Sequence, residues 1–256
     1  MFITDDGIRL SAVLERPDRE RGPLVIFIHG FTSTKDRAHN IAACEAMREA
    51  GFATLRVDMY GHGESGGEFK KHTLYKWINN AMAVIDYARS LDFVTDIYLS
   101  GHSQGGLTAA LAAGMEPDRV KGLILRAPAF VIPEGARQGD LLGYSFDPDH
   151  IPDETEIHDG VTLEGNYIRV AQTIRVEDAI DRYKGPVLLI HGDRDDVIPV
   201  QGSVEAAGRY RNCRLEIIPG ETHHFNRHPK TMKNIIRGWL EERAAARDDG
   251  GGDDSP

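Results

Sequence analysis

The sequence predicts an α/β fold, a mostly parallel sheet with helices on both faces and one inserted segment. Three observations predict it. Short, mainly apolar runs at residues 24–28, 53–57, 97–99, 120–125 and 187–190 alternate with amphipathic helical stretches, as buried parallel strands and their crossover helices do. One of these runs ends in Gly101-His102-Ser103-Gln104-Gly105-Gly106 and passes at once into an alanine-rich helical pattern at 107–113. The rhythm then stops between Pro128 and Pro186, a distance far longer than a crossover needs.

Taken in order, Asp6-Gly7 joins two extended stretches within residues 2–14 and predicts an antiparallel hairpin at a sheet edge. The run at 24–28 enters His29-Gly30-Phe31. A helical pattern over 38–50 stops at Gly51, where a left-handed cap is expected. After the strand at 53–57 comes Asp58-Met59-Tyr60-Gly61-His62-Gly63-Glu64-Ser65, whose glycines suit a tight turn. Ala81, Val84, Ile85 and Ala88 mark the buried stripe of a helix over 74–90. Within the long insert, residues 147–149 and 151–153 read as turns and 157–161 as a small hairpin. The sheet resumes at 187–190, followed by a short helix near 204–210, a strand at 215–218 and a final amphipathic helix over 230–242. The expected organisation is therefore a core in two parts, 1–128 and 185–245, a cap at 129–184 over the carboxyl ends of the strands, and a disordered acidic tail at 246–256.

Composition narrows the function. The net charge of −10 offers no basic footprint for a polyphosphate, so no nucleic-acid partner is expected. The N-terminal residues carry neither a basic region nor an apolar core of signal-peptide type, and no run approaches a membrane span, so a cytoplasmic chain without a membrane partner is expected. Cys44 and Cys213 are the two cysteines, and their spacing suggests neither a metal knuckle nor a redox pair.

Gly-x-Ser-x-Gly between strand and helix marks a sharp turn that projects the Ser103 hydroxyl and aims the helix's unpaired N–H groups at whatever it attacks. A serine is a weak nucleophile until an imidazole takes its proton, and that imidazole needs a carboxylate to fix its tautomer. Two later loops that follow strands offer these groups. One is His191-Gly192-Asp193-Arg194-Asp195-Asp196-Val197-Ile198-Pro199, where Asp193, Asp195 and Asp196 compete. The other is Gly220-Glu221-Thr222-His223-His224-Phe225, where His223 competes with His224 and His228. These histidines with Glu221 also offer a metal alternative, but no regular helix places them on one face, and no metal or cofactor is expected.

In these motifs the chain resembles the α/β-hydrolase family over residues 2–243. The resemblance implies the family's fold, with Ser103, Asp195 and His223 as a catalytic triad and the backbone N–H groups of Phe31 and Gln104 as the oxyanion hole. His29-Gly30-Phe31, Gln104 after the nucleophile, and a cap of this size are most similar to the bacterial cinnamoyl (feruloyl) esterases. That similarity implies a small-molecule ester of a hydroxycinnamic acid as substrate, with Asp140, Tyr144 and Tyr167 of the cap as candidate contacts to the ring. A general carboxylesterase or monoacylglycerol-type lipase would use the same triad. A non-catalytic binding protein on the hydrolase fold is a third reading, and a homodimer remains open.

Overall fold

The computed structural model describes residues 1–158 and 160–250. The core is built from β1 (Phe2–Asp5), β2 (Ile8–Glu15), β3 (Gly22–Ile28), α1 (Ala38–Glu49), β4 (Ala53–Val57), α2 (Leu74–Arg89), β5 (Val94–His102), α3 (Gln104–Met115) and β6 (Gly122–Arg126). The insert holds α4 (Val131–Gln138), the short pair β7 (Asp140–Leu141) and β8 (Tyr144–Ser145), the hairpin β9 (Glu154–His158) and β10 (Val161–Glu164), then α5 (Asn166–Thr173) and α6 (Val176–Arg182). The chain closes with β11 (Val187–Gly192), α7 (Gln201–Arg209), β12 (Cys213–Ile218) and α8 (Pro229–Gly250).

The main sheet has the order β1-β2-β4-β3-β5-β6-β11-β12. Strands from β4 to β12 along this order pair in parallel, while β1 and β2 form the antiparallel edge. Asp6 and Gly7 both adopt positive φ at the hairpin turn, as a two-residue turn of matching twist requires. All seven residues of β3 are buried. Val25 and Phe27 pack with α1 and α8 on one face, and Leu24, Ile26 and Ile28 with α2 and α3 on the other. The chain winds outward from β3 to β4 and then returns through α2 to β5. That reversal opens a crevice at the carboxyl ends of β3 and β5, where doubly wound sheets bind ligands.

Two features of the loops keep this edge in place. Asp58, fully buried, accepts from the Lys35 N–H at 2.7 Å and from Lys35 Nζ at 2.9 Å. A Cβ at Gly63 would lie 2.2 Å from an Asp58 carboxylate oxygen, so only glycine closes the turn.

The insert is more helical than its sequence suggests. Its hairpin forms where expected, with Asp159 outside the described residues, and α4, α5 and α6 each bury a short stripe at helical spacing: Ile132, Pro133 and Ala136; Tyr167, Ile168 and Ala171; Val176, Ala179 and Ile180. At about two turns each the stripes are too short to mark a helix by themselves, and tertiary packing decides them. At α6, Ala179 packs so tightly on α3 that a Cβ at Gly114 would meet it at 2.5 Å. This helix therefore packs directly on the core helix α3. α8 also runs on to Gly250, so residues 246–250 are helical rather than part of a tail, because Ala244-Ala245-Ala246 extends it with strong helix formers. Residues 251–256 lie outside the described residues. Among the described residues no helix is long and apolar enough to cross a membrane.

Candidate active site

The elbow between β5 and α3 is made by its flanking glycines. A Cβ at Gly101 would lie 2.1 Å from the Gly105 carbonyl oxygen, and one at Gly105 would lie 2.2 Å from the His29 oxygen. Both obstacles are backbone atoms that cannot give way. The turn forces Ser103 to φ 56° and ψ −122°, a conformation that costs about 1–3 kcal/mol and persists only where its surroundings impose it. Here the Ser103 N–H donates to the Arg126 oxygen at 3.0 Å, and its carbonyl accepts from Ala129 at 3.0 Å and Gly106 at 2.9 Å. Thr32, Ala127 and Phe225 also hold positive φ, so strained backbone gathers in the loops around the site.

The loops after β11 and β12 bring the acid and the imidazole together. His223 Nδ1 donates to Asp195 Oδ2 at 2.7 Å. His191 Nε2 donates to the same oxygen at 3.1 Å, and Ser203 donates to His191 Nδ1 at 2.7 Å. The other carboxylate oxygen, Oδ1, accepts from the Val197 and Ile198 N–H groups at 2.9 and 2.8 Å. The side chain of Asp195 has no exposed surface. Burial alone would raise its pKa, but the bonds from His191, His223 and Ile198 outweigh burial and hold the carboxyl well below the usual range.

His102, next to Ser103, donates from Nε2 to the His223 carbonyl at 2.8 Å, which ties the histidine loop to the elbow. Asp193 instead accepts from the Gly220 N–H at 2.6 Å, and Asp196 is exposed. Glu221, fully buried, accepts from the N–H groups of Thr222, Arg227 and His228. These bonds commit its carboxylate to shaping the loop, and they do not bring His223, His224 and His228 together as ligands. Sequence reasoning did not single out Ser203, and a lone serine in a helix gives no signal for such a role.

The loop after β3 lies against the elbow, since a Cβ at Gly30 would sit 3.1 Å from Ser103 Cβ. Phe31 therefore occupies the position beside the nucleophile, with Gln104 at the first residue of α3. Tyr167, from α5, is buried and donates to Gln104 Oε1 at 2.6 Å. Burial raises its pKa, so the hydroxyl is a neutral donor. Phe31, Phe69, His72 and Tyr167 form an aromatic cluster, with the Phe31 ring 5.5, 5.4 and 6.2 Å from the others. Burial is the main cause that drives His72 to about 3 and His62 to about 4, so both rings are neutral near pH 7. Asp140 lines a cleft of about 1180 Å³ together with Phe130, Val131 and Val197, and Tyr144 stacks on Phe146 at 5.9 Å. The cleft runs between α4, α6 and α7, and Ser103, Asp195 and His223 are not among the residues that line it.

The chain as a whole resembles known proteins closely. Est1E from Butyrivibrio proteoclasticus, in a structure with ferulic acid bound, is 52% identical to this chain with a TM-score of 0.94. The match covers 96% of this chain and 99% of that one. The chain belongs to the α/β-hydrolase family. The serine aminopeptidase (S33) family model matches residues 19–144 of this α/β-hydrolase. The monoacylglycerol lipase of Mycolicibacterium smegmatis is 23% identical over 91% of this chain and 93% of its own length. A monoacylglycerol lipase structure from Paleococcus ferrophilus aligns with a TM-score of 0.71 at 22% identity, covering 91% of this chain and 98% of that one, and shares the fold.

Proposed function

We propose that this α/β-hydrolase cleaves hydroxycinnamate esters with Ser103 as nucleophile, His223 as base and Asp195 as its orienting acid. The observation that carries the reading is the strained Ser103 elbow beside a histidine loop in which His223 is bonded to a buried Asp195. With Nδ1 committed to Asp195, His223 presents Nε2 as a lone pair able to take the serine proton. Attack on the ester carbon then gives a tetrahedral oxyanion, stabilised by the Phe31 and Gln104 N–H groups, each worth about 2.7–4 kcal/mol. His223 next returns its proton to the alcohol oxygen as it leaves. Water, activated by the same histidine, hydrolyses the acyl-enzyme. No step in this sequence needs a metal or cofactor.

Two findings support an aromatic acyl group. Est1E holds ferulic acid and matches this chain along nearly its full length, and the Phe31, Phe69 and Tyr167 rings gather where a planar acyl chain could lie. Residues α4 to α5 serve as the cap that shapes this space, with Asp140, Tyr144 and Tyr167 as candidate contacts. The relation to monoacylglycerol lipases supports an aliphatic ester as the second reading. A parallel assay of methyl ferulate and a short aliphatic methyl ester decides between them. The hydroxycinnamate reading expects the higher kcat/KM for methyl ferulate, and a clear preference for the aliphatic ester overturns it while leaving the mechanism standing.

A further inference from the structure

Three histidines meet behind the hydrolytic groups in an arrangement that ester cleavage does not use. His39 at the start of α1, His102 at the end of β5 and His224 after β12 each place a ring nitrogen within 4.8 Å of the other two. The ring centroids are 4.9 Å apart for His39 and His102, and 5.3 Å for His39 and His224. Burial, then neighbouring positive groups, lowers the pKa of all three, His39 to about 3. Near pH 7 these rings are neutral and carry lone pairs. His39 Nε2 and His102 Nδ1 are buried and have no hydrogen-bond partner among the described residues, which buried polar atoms rarely tolerate.

We propose that His39, His102 and His224 form a binding site for a divalent transition-metal ion of the zinc class. Three neutral imidazoles, with neither thiolate nor carboxylate among them, suit zinc, nickel or copper better than magnesium or calcium. His102 already has the outer contact such a ligand requires, because its Nε2–H donates to the His223 carbonyl and leaves the lone pair on Nδ1. Tetrahedral zinc bonds of about 2.0–2.1 Å would place the ligand nitrogens about 3.3 Å apart. The rings must therefore draw together, and His224, on the exposed rim, is the one free to move inward. Asp195 and Asp196 favour positive charge at His224. Arg126 opposes it at His39 and His102, which makes this a weaker site than a structural zinc centre. A bound ion would clamp the segment on both sides of His223, through its neighbour His224 and through the His102 bond to its carbonyl. Occupancy would thus slow ester hydrolysis reversibly.

Calorimetric titration of the full chain with zinc chloride tests this, because it reads binding whether or not the hydrolytic assignment is right. One zinc per chain is expected, with affinity at least about tenfold lower in His39→Gln and His224→Gln and unchanged in His228→Gln. Zinc should inhibit the wild-type esterase and a chelator should restore it. His39→Gln, whose side chain touches none of the hydrolytic groups, should keep its basal rate and lose the zinc response. Absence of binding, undiminished affinity in His39→Gln, or an equal loss in His228→Gln overturns the proposal. Inhibition that persists in His39→Gln places the ion on His223 itself and does the same.

Discussion

Replacing Asp195 by Asn probes the site with almost no change in shape. Asp195 Oδ1 accepts from two backbone N–H groups at 2.9 and 2.8 Å, so the Asn carbonyl oxygen must take that position. Its NH2 group then occupies the place of Oδ2, 2.7 Å from His223 Nδ1. An NH2 can only donate there, so His223 must turn its Nδ1 lone pair toward it and carry its proton on Nε2. That tautomer leaves no lone pair on Nε2 to accept the serine proton. The same substitution in an unrelated triad enzyme lowers kcat about 10⁴-fold, equivalent to about 5.5 kcal/mol of transition-state stabilisation. The assay is single-turnover and steady-state hydrolysis of a chromogenic ester at pH 7. A loss below about tenfold would refute the role given to Asp195. The variant has a second signature in acid. Because the folded carboxyl titrates below its unfolded range, ionised Asp195 contributes stability above the unfolded pKa of about 3.9, and that contribution disappears as pH falls through the folded value. The stability gap between wild type and Asp195→Asn should narrow between about pH 4 and pH 2, as followed by denaturant melts.

Two further substitutions test the frame around the nucleophile. Gly105→Ala places a methyl group 2.2 Å from the His29 carbonyl, so α3 must move away from β3. Hydrolysis should fall by orders of magnitude, and near-normal kcat would show that the elbow does not depend on this contact. Tyr167→Phe leaves the buried Gln104 Oε1 without its donor, which costs about 1–3 kcal/mol and lowers Tm by about 2–4 °C for each kcal/mol in a chain of this size. An unchanged Tm by calorimetry would count against the cap being anchored to the elbow.

The core was legible because its strands are buried on both faces and therefore apolar along their length, with glycine or proline at their ends. The elbow was legible for a related reason: Gly101 and Gly105 are fixed by backbone contacts that exclude any other residue. Asp195 and His223 could be found by their place after strands, yet three aspartates and three histidines stood close together there. Spacing could not tell which would be held by Val197 N–H and Ile198 N–H and which would face solvent. The cap was least legible. The helices of the insert, α4 to α6, run for only about two turns and bury three residues each, a stripe too brief to mark a helix before its packing on α3 and on its neighbours is known. The acidic stretch 246–256 was read as a tail from its charge, whereas the run of alanines ahead of Arg247 carries α8 through to Gly250.

Covalent labelling tests the central assignment most directly. A fluorophosphonate ester reacts with an activated serine and leaves a phosphonyl group that mass spectrometry can place on a peptide. If Ser103 is the nucleophile, one label per chain should appear on the peptide containing it, in step with the loss of ester hydrolysis, and Ser103→Ala should neither label nor hydrolyse. A label on another residue, or full hydrolysis after Ser103 is blocked, would contradict it.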